Sequence, residues 1–206
     1  MPAGLSILLA SSNSGKVREY RELAGDANIE IELLPGFGEI PQFPEDAPTF
    51  AENAAGKAEY YSRHTSRVLL ADDSGLVVPA LGGAPGVRSA RYAGPNAGDS
   101  DRVRKLLHEM EIFEEDRRRA KFVCVTAIAR RGRAFIITSD SAEGLLAKEP
   151  RGAGGFGYDP IFFLPEIGKT FAEASREAKN QLSHRGKAFR KALAYLADPA
   201  SLAWIE

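Results

Sequence analysis

Five short apolar runs rich in β-formers punctuate the chain: "LSILLA" (5–10), "IEIELL" (29–34), "RVLLA" (67–71), "FVCVTAIA" (122–129) and "AFIITS" (134–139). Between them lie stretches in which apolar positions recur every three to four residues, notably "GKVREYRELAG" (15–25) and "FAENAAGKAEYYSRH" (50–64). A period near 2 alternating with a period near 3.6 predicts an α/β fold. The fourth and fifth runs are joined through Arg130-Arg131-Gly132-Arg133, a short turn with glycine that predicts a long antiparallel hairpin and hence a mixed sheet. Thr49 followed by Glu52 is a capping-box pattern that starts the second helix and puts Asn53 and Lys57 on one face of it. Further helices are predicted over "SDRVRKLLHEM" (100–110) and over "SHRGKAFRKALAYLA" (183–197), the latter begun by Ser183 or His184 and ended before Asp198-Pro199.

Three interruptions of this pattern carry unusual residues. The first run breaks into Ser11-Ser12-Asn13-Ser14-Gly15 before Lys16 opens a helix. A small-residue turn between strand and helix is either an ordinary turn capped by Asn13 or Ser14, or a place where backbone N–H groups, the helix amino end and a lysine meet an anion. It is not the standard phosphate loop, because Lys16 is followed by Val17. Two glycine-rich segments, 81–98 and 150–160, mix Arg88, Arg91, Phe156, Tyr158 and Asp159 with their glycines, which suits a ligand lip as well as a surface loop.

Composition narrows the classes. Lys plus Arg (27) nearly balances Asp plus Glu (28) for a net charge of -1, so nothing pulls the chain as a whole toward a nucleic-acid polymer or an anionic membrane. The length of 206 residues fits a single domain over 1–206 with a sizeable core. Cys124, the one cysteine, excludes an intrachain disulfide or a cysteine metal cluster, and no run of about 18 apolar residues is present. The expectation is a soluble cytoplasmic protein.

The sharpest chemical signal is "VLLADDSGL" (68–76), read as a buried strand ending in Asp72, Asp73, Ser74 and Gly75. Carboxylates at the carboxyl end of a strand are well placed for a cation, and neighbours in an extended chain face opposite sides. One aspartate would then face the metal while the other supports it. Hard oxygen donors without a His/Cys cluster favour Mg²⁺. Glu45 and Asp46 are further candidate donors, or a solvated acidic loop. Lys16, Lys57, Lys179, His184 and Arg185 are either solvated surface charges or, taken together, the cations that a phosphorylated substrate needs.

Taken in order, "SSNSGKVRE", "FAENAAGKA", "ADDSGLVVPALGGAPGVRSARYAG", "GGFGYDPIFF", "GKTFAE" and "SHRGKA" resemble the inosine/xanthosine triphosphate pyrophosphatases across nearly the whole chain. The resemblance implies an elongated mixed sheet flanked by helices, two lobes around a deep nucleotide-binding cleft, and a homodimer. It implies Mg²⁺-dependent hydrolysis, with Mn²⁺ as an alternative ion, of ITP, dITP or XTP to monophosphate and pyrophosphate. Carried over by position, Ser11, Ser12, Asn13, Ser14, Gly15 and Lys16 would bind the triphosphate, and Asp73 would be general base and, with Glu45, metal ligand. Asp72 and Lys57 would share that pocket and Ser74 would touch substrate. Phe156, Gly157, Tyr158, Asp159, Lys179, His184 and Arg185 would hold the nucleoside. Ser12 stands where the family has glycine, so its backbone conformation matters. The donor-only side chains of Lys179 and Arg185 suit the 6-oxo group of hypoxanthine or xanthine and oppose adenine's 6-amino group. Two other readings remain open at this stage, a related Maf-like pyrophosphatase and a sensor that binds a nucleotide without hydrolysing it. In the tail "DPASLAWIE", Trp204 points to packing.

Overall fold

The computed structural model describes residues 6–27 and 29–198; the tail segment with Trp204 lies outside the described residues. Seven strands form one mixed sheet in the order β2-β1-β3-β4-β5-β6-β7. They are β1 (Ser6–Leu9), β2 (Glu30–Leu33), β3 (Leu69–Val77), β4 (Arg119–Arg130), β5 (Arg133–Leu146), β6 (Phe162–Leu164) and β7 (Lys169–Thr170), interleaved with α1 (Ser14–Asp26), α2 (Phe50–Ser62), α3 (Asp99–Glu109), α4 (Arg176–Leu182) and α5 (His184–Leu196). β1 runs parallel to β2 and β3, whereas β6 is antiparallel to β5 and β7. The mixed α/β architecture expected from the periodicities is the one observed. The β4–β5 turn takes positive φ at Arg131 (51°) and Gly132 (82°), the two-residue hairpin geometry that matches strand twist.

One expectation needs revision, and one element is not foreseen in the sequence. The apolar run over 67–71 does not end at the aspartates: β3 continues through Asp72, Asp73, Ser74 and Gly75 to Val77. Leu76 and Val78 resume the buried pattern, and the carboxylates find partners inside the protein, so the strand has no need to stop. The unforeseen element is α4, a short helix ahead of α5. Ser175 caps it by accepting from the Ala178 N–H at 3.2 Å.

Among the described residues the chain divides into two compact units, one within 1–73, 124–140 and 184–206, the other within 74–123 and 141–183. In the first unit the strand period of two sorts side chains into two cores. Ile7, Leu9, Leu70 and Ile128 pack with Val17, Tyr20 and Leu23 of α1 and Phe189, Ala192 and Leu193 of α5. Leu8, Leu69, Ala71, Val125 and Ala127 face the other way, onto Ala54, Ala58 and Tyr61 of α2. Each helix contributes apolar positions three or four apart, as one face of a 3.6-residue repeat must.

The second unit has its own core, in which Val103, Leu106 and Met110 of α3 and its cap pack with Phe122, Phe162 and Phe171. A glycine-rich segment is laid onto this core at close range. Gly152 has φ +82°, and a Cβ there would lie 2.5 Å from the Ala172 carbonyl carbon. Gly152→Ala combines a left-handed backbone with a collision against main chain, so it is expected to cost about 2–3 kcal/mol and lower the thermal midpoint by roughly 5–10 °C. Thermal denaturation checks this, and an unchanged midpoint would mean that the segment does not pack as described.

Candidate active site

The turn that opens α1 is built by its own small side chains. Ser11 Oγ accepts from the Asn13 N–H at 3.2 Å, and Asn13 Oδ1 accepts from the Lys16 N–H at 3.0 Å. Asn13 is therefore the cap, one of the two residues that the sequence left open. Among the described residues Arg131 is the one non-glycine with positive φ, so Ser12 occupies a conformation open to any L residue. The serine found in place of glycine imposes no backbone strain. The turn presents exposed Ser12, Asn13 and Ser14 at the positive end of the α1 dipole.

Asp72 and Asp73 point to opposite faces of β3, as strand geometry requires, and meet different helices. Asp72 shares the face of α1 and α5. It is fully buried, 3.1 Å from Lys16 Nζ and 3.2 Å from Arg185 Nη2, and Arg185 is in turn paired with Glu19. Burial alone would raise its pKa, but Lys16, Arg185 and Lys57 outweigh that effect and hold it well below the usual carboxylate range. Asp72 is thus a permanent anion. Cys124, whose Sγ lies 3.7 Å from it, has its thiol pushed up to about 12 by burial and then by the Asp72 charge. That thiol stays protonated and serves packing.

Asp73 lies on the α2 face. Asn53, one helical turn before Lys57, donates Nδ2–H to its Oδ2 at 3.0 Å, and Lys57 pairs with Glu45. Asp73 has a pKa raised to about 6, chiefly by burial, with Lys16 and Asn53 opposing and the Glu45 and Asp72 charges adding. Adjacent carboxylates in one strand are thereby driven apart, one fixed as a counter-ion and the other poised near neutrality to take a proton.

Glu45 and Asp73 offer oxygen donors close enough for the charge of Glu45 to act on Asp73. Among the described residues no group of three or more His, Cys, Asp or Glu side chains is arranged to hold a metal. Two carboxylates with the remaining positions left to water and phosphate is a donor set that fits Mg²⁺, and it does not fit an all-protein cage.

In the second unit, Lys179 Nζ lies 2.5 Å from Asp159 Oδ2, which also accepts from the Phe156 N–H at 2.8 Å. The Lys179 ammonium stands 5.3 Å from the Phe156 ring centroid, within cation–π range. Gly155 (φ +72°) lets the carboxylate approach, since a Cβ there would lie 2.1 Å from Asp159 Oδ2. Tyr158 is buried and donates its OH to the Ser89 carbonyl at 3.0 Å.

The model of the Ham1 family matches residues 7–195. The chain belongs to the Ham1 family. A relative described as a dITP/XTP pyrophosphatase, from Geobacillus kaustophilus (strain HTA426), is 49% identical over 185 residues, 90% of this chain and 91% of that protein. Another of the same description from Streptococcus pyogenes serotype M18 (strain MGAS8232) is 45% identical over 91% of this chain, which spans 58% of the length of that longer protein. The solved structure of a HAM1 protein from Coxiella burnetii superimposes with a TM-score of 0.81 at 42% identity, covering 93% of this chain and 98% of that one.

In this Ham1 family chain the fold brings Lys16, Glu45, Lys57, Asp72 and Asp73 together, and separately gathers Phe156, Asp159 and Lys179. Ser74 follows Asp73 along β3, half-buried. Arg185, expected among the nucleoside contacts, is 2% exposed and engaged by Asp72 and Glu19; His184 beside it is also buried. Two residues of the cluster were not foreseen. Asn53 carried a signal, its four-residue spacing from Lys57. Glu19 sits one turn after Lys16, and nothing local separates it from the other surface-type charges of α1.

Proposed function

We propose that this chain hydrolyses non-standard purine nucleoside triphosphates (dITP, XTP and ITP) to the monophosphate and pyrophosphate, as a single domain acting in the cytoplasm as a homodimer. The observation that carries the reading is Asp73, a buried carboxylate whose pKa of about 6 suits a general base at neutral pH, beside a permanently charged twin. Support for the substrate class comes from the relatives described as dITP/XTP pyrophosphatases.

Ser11 through Lys16, with the α1 dipole, hold the phosphates by N–H and hydroxyl donation. Asp72 anchors the Lys16 ammonium, and Lys57 adds a second cation that Glu45 orients, so charge gathering on the departing pyrophosphate meets preorganised positive groups. Asp73 accepts the proton of the attacking water, and Asn53 fixes the carboxylate rotamer. Ser74 contributes a hydroxyl to the substrate. A Mg²⁺ ion held by Glu45 and Asp73 would neutralise phosphate oxygens. Phe156 offers a ring face to the purine. Lys179, held by Asp159, carries donors only, which complements a 6-oxo group and opposes a 6-amino group. Arg185 acts through Asp72.

The test is pyrophosphate release from dITP, XTP, ITP, GTP, ATP and modified pyrimidine triphosphates in parallel, with Mg²⁺ and with chelator. Rapid metal-dependent release from the first three, and little from GTP or ATP, is the expected result. Binding of dITP without release would make the protein a nucleotide sensor. Preferential release from modified pyrimidine triphosphates would move it to the Maf-like group.

A further inference from the structure

The two glycine-rich segments flagged in the sequence are tied to one another at defined points within the second unit. Besides the direct bond from Tyr158 OH to Ser89, the Gly157 N–H donates to Asp99 Oδ2 at 2.7 Å, and Asp99, just beyond the first segment, is linked back to it through Arg102. Asp99 Oδ1 is paired with Arg102, whose guanidinium also donates to the carbonyls of Ala90 at 2.6 Å and Ala97 at 3.0 Å. Asp99 is the first residue of α3, but capping that helix is not its duty. The cap is Gly98, and its N–H is taken by Asp101 at 3.0 Å. The Asp99 carboxylate is therefore committed to Arg102 on one side and Gly157 on the other.

Gly155 and Gly157 bracket Phe156 with φ of +72° and +62°. A chain of this kind has the largest backbone freedom to lose on ordering. No heavy atom lies within 4 Å of where a Gly157 Cβ would be, so the glycine is there for its dihedral angle, which directs its N–H, and not for space. The N–H groups on both sides of the Phe156 α-carbon end on carboxylates, Phe156 N–H on Asp159 and Gly157 N–H on Asp99. Both peptide planes flanking Phe156 are thereby oriented.

We propose that Asp99 is a positioning residue for nucleoside recognition: through the Gly157 N–H it fixes the main chain on which Phe156, Tyr158 and Asp159 stand. This rests on the reading that the 156–159 segment holds the nucleoside. Asp99 itself touches no substrate. Its removal leaves the carboxylates of β3 untouched, so binding weakens while the chemical step keeps its rate.

The experiment is steady-state kinetics with XTP and dITP on Asp99→Ala, Asp99→Asn and Phe156→Ala, with thermal midpoints of each. Asp99→Ala is expected to raise KM about tenfold, the worth of one charge-assisted hydrogen bond, with kcat within about twofold of wild type. Asp99→Asn keeps an oxygen acceptor for the Gly157 N–H and is expected to restore KM to within about threefold of wild type. An unchanged KM in Asp99→Ala beside a raised KM in Phe156→Ala would overturn the proposal and leave the nucleoside reading standing. No KM change in either would remove that reading and the proposal with it. Failure of Asp99→Asn to restore KM, with a midpoint lowered as far as in Asp99→Ala, would show that the charge matters to the helix end and overturn the positioning role.

Discussion

Asp73→Asn is expected to lower kcat for dITP by about 10²–10⁴-fold while nucleotide binding stays measurable, the range lost when a general base is removed. The same substitution is expected to make the metal-free protein more stable. Asp73 has its folded pKa raised from the ordinary 3.8 to about 6, so its charged form is disfavoured by the fold. The resulting cost is absent below the unfolded pKa, grows as pH rises from about 4 to 6, and is complete above that window. A shift of about two units corresponds to at most about 3 kcal/mol. Asparagine removes the charge and keeps an acceptor for Asn53. Melting in chelator at about pH 8 should therefore show a gain of several degrees that vanishes by about pH 4. Full activity in Asp73→Asn would strip the residue of its role, and a loss of stability at the higher pH would contradict the burial argument. The two readouts oppose one another because a base held near neutrality is strained by the environment that makes it useful.

Arg185→Met is expected to destabilise the fold by about 3–5 kcal/mol, the usual cost of stripping one partner from a buried ion pair. Arg185 is 2% exposed and sits between the carboxylates of Glu19 and Asp72, the latter wholly buried. Methionine fills much of the volume, so the loss reports the stranded charges more than a cavity. Lys16 remains beside Asp72, which explains why the protein should still fold. The pH dependence follows from sign. Asp72 has a depressed folded pKa, so it contributes stability that is complete above the unfolded value and is lost as pH falls toward the folded one. Without Arg185 that folded pKa rises and acid unfolding begins at higher pH. Denaturant titrations at neutral and acid pH measure both effects. A variant as stable as wild type at neutral pH would show that the pair is not worth its desolvation.

Much of the local architecture was legible beforehand because its causes are local. Thr49 and Glu52 cap α2 across three residues, with Thr49 Oγ1 and Glu52 Oε2 2.7 Å apart. Arg131-Gly132 makes its turn from its own dihedrals. Where the structure differs from the pattern, the reason is a distant partner in one case and a missing period in the other. The pattern reads as a strand ending in Asp72, Asp73, Ser74 and Gly75 because adjacent carboxylates look like a terminus until Lys16 and Arg185 are seen against Asp72. The sequence does not predict α4 because "REAKNQL" has too few apolar positions to show a period; the Ser175 cap starts the helix, and its one buried residue is Asn180.

What the sequence alone determined is the alternation of strands and helices, the capped helix starts, and the opposition of Asp72 and Asp73 across β3, all consequences of backbone periodicity and of hydrogen bonds spanning a few residues. The tertiary structure decided what each aspartate is. Asp72 became a fixed anion because a guanidinium 113 residues away closes on it, and Asp73 became a near-neutral base because the fold withdrew water from it while leaving Glu45 and Asp72 near. Protonation depends on desolvation and on charges summed through space, and neither is written in the order of residues along the chain.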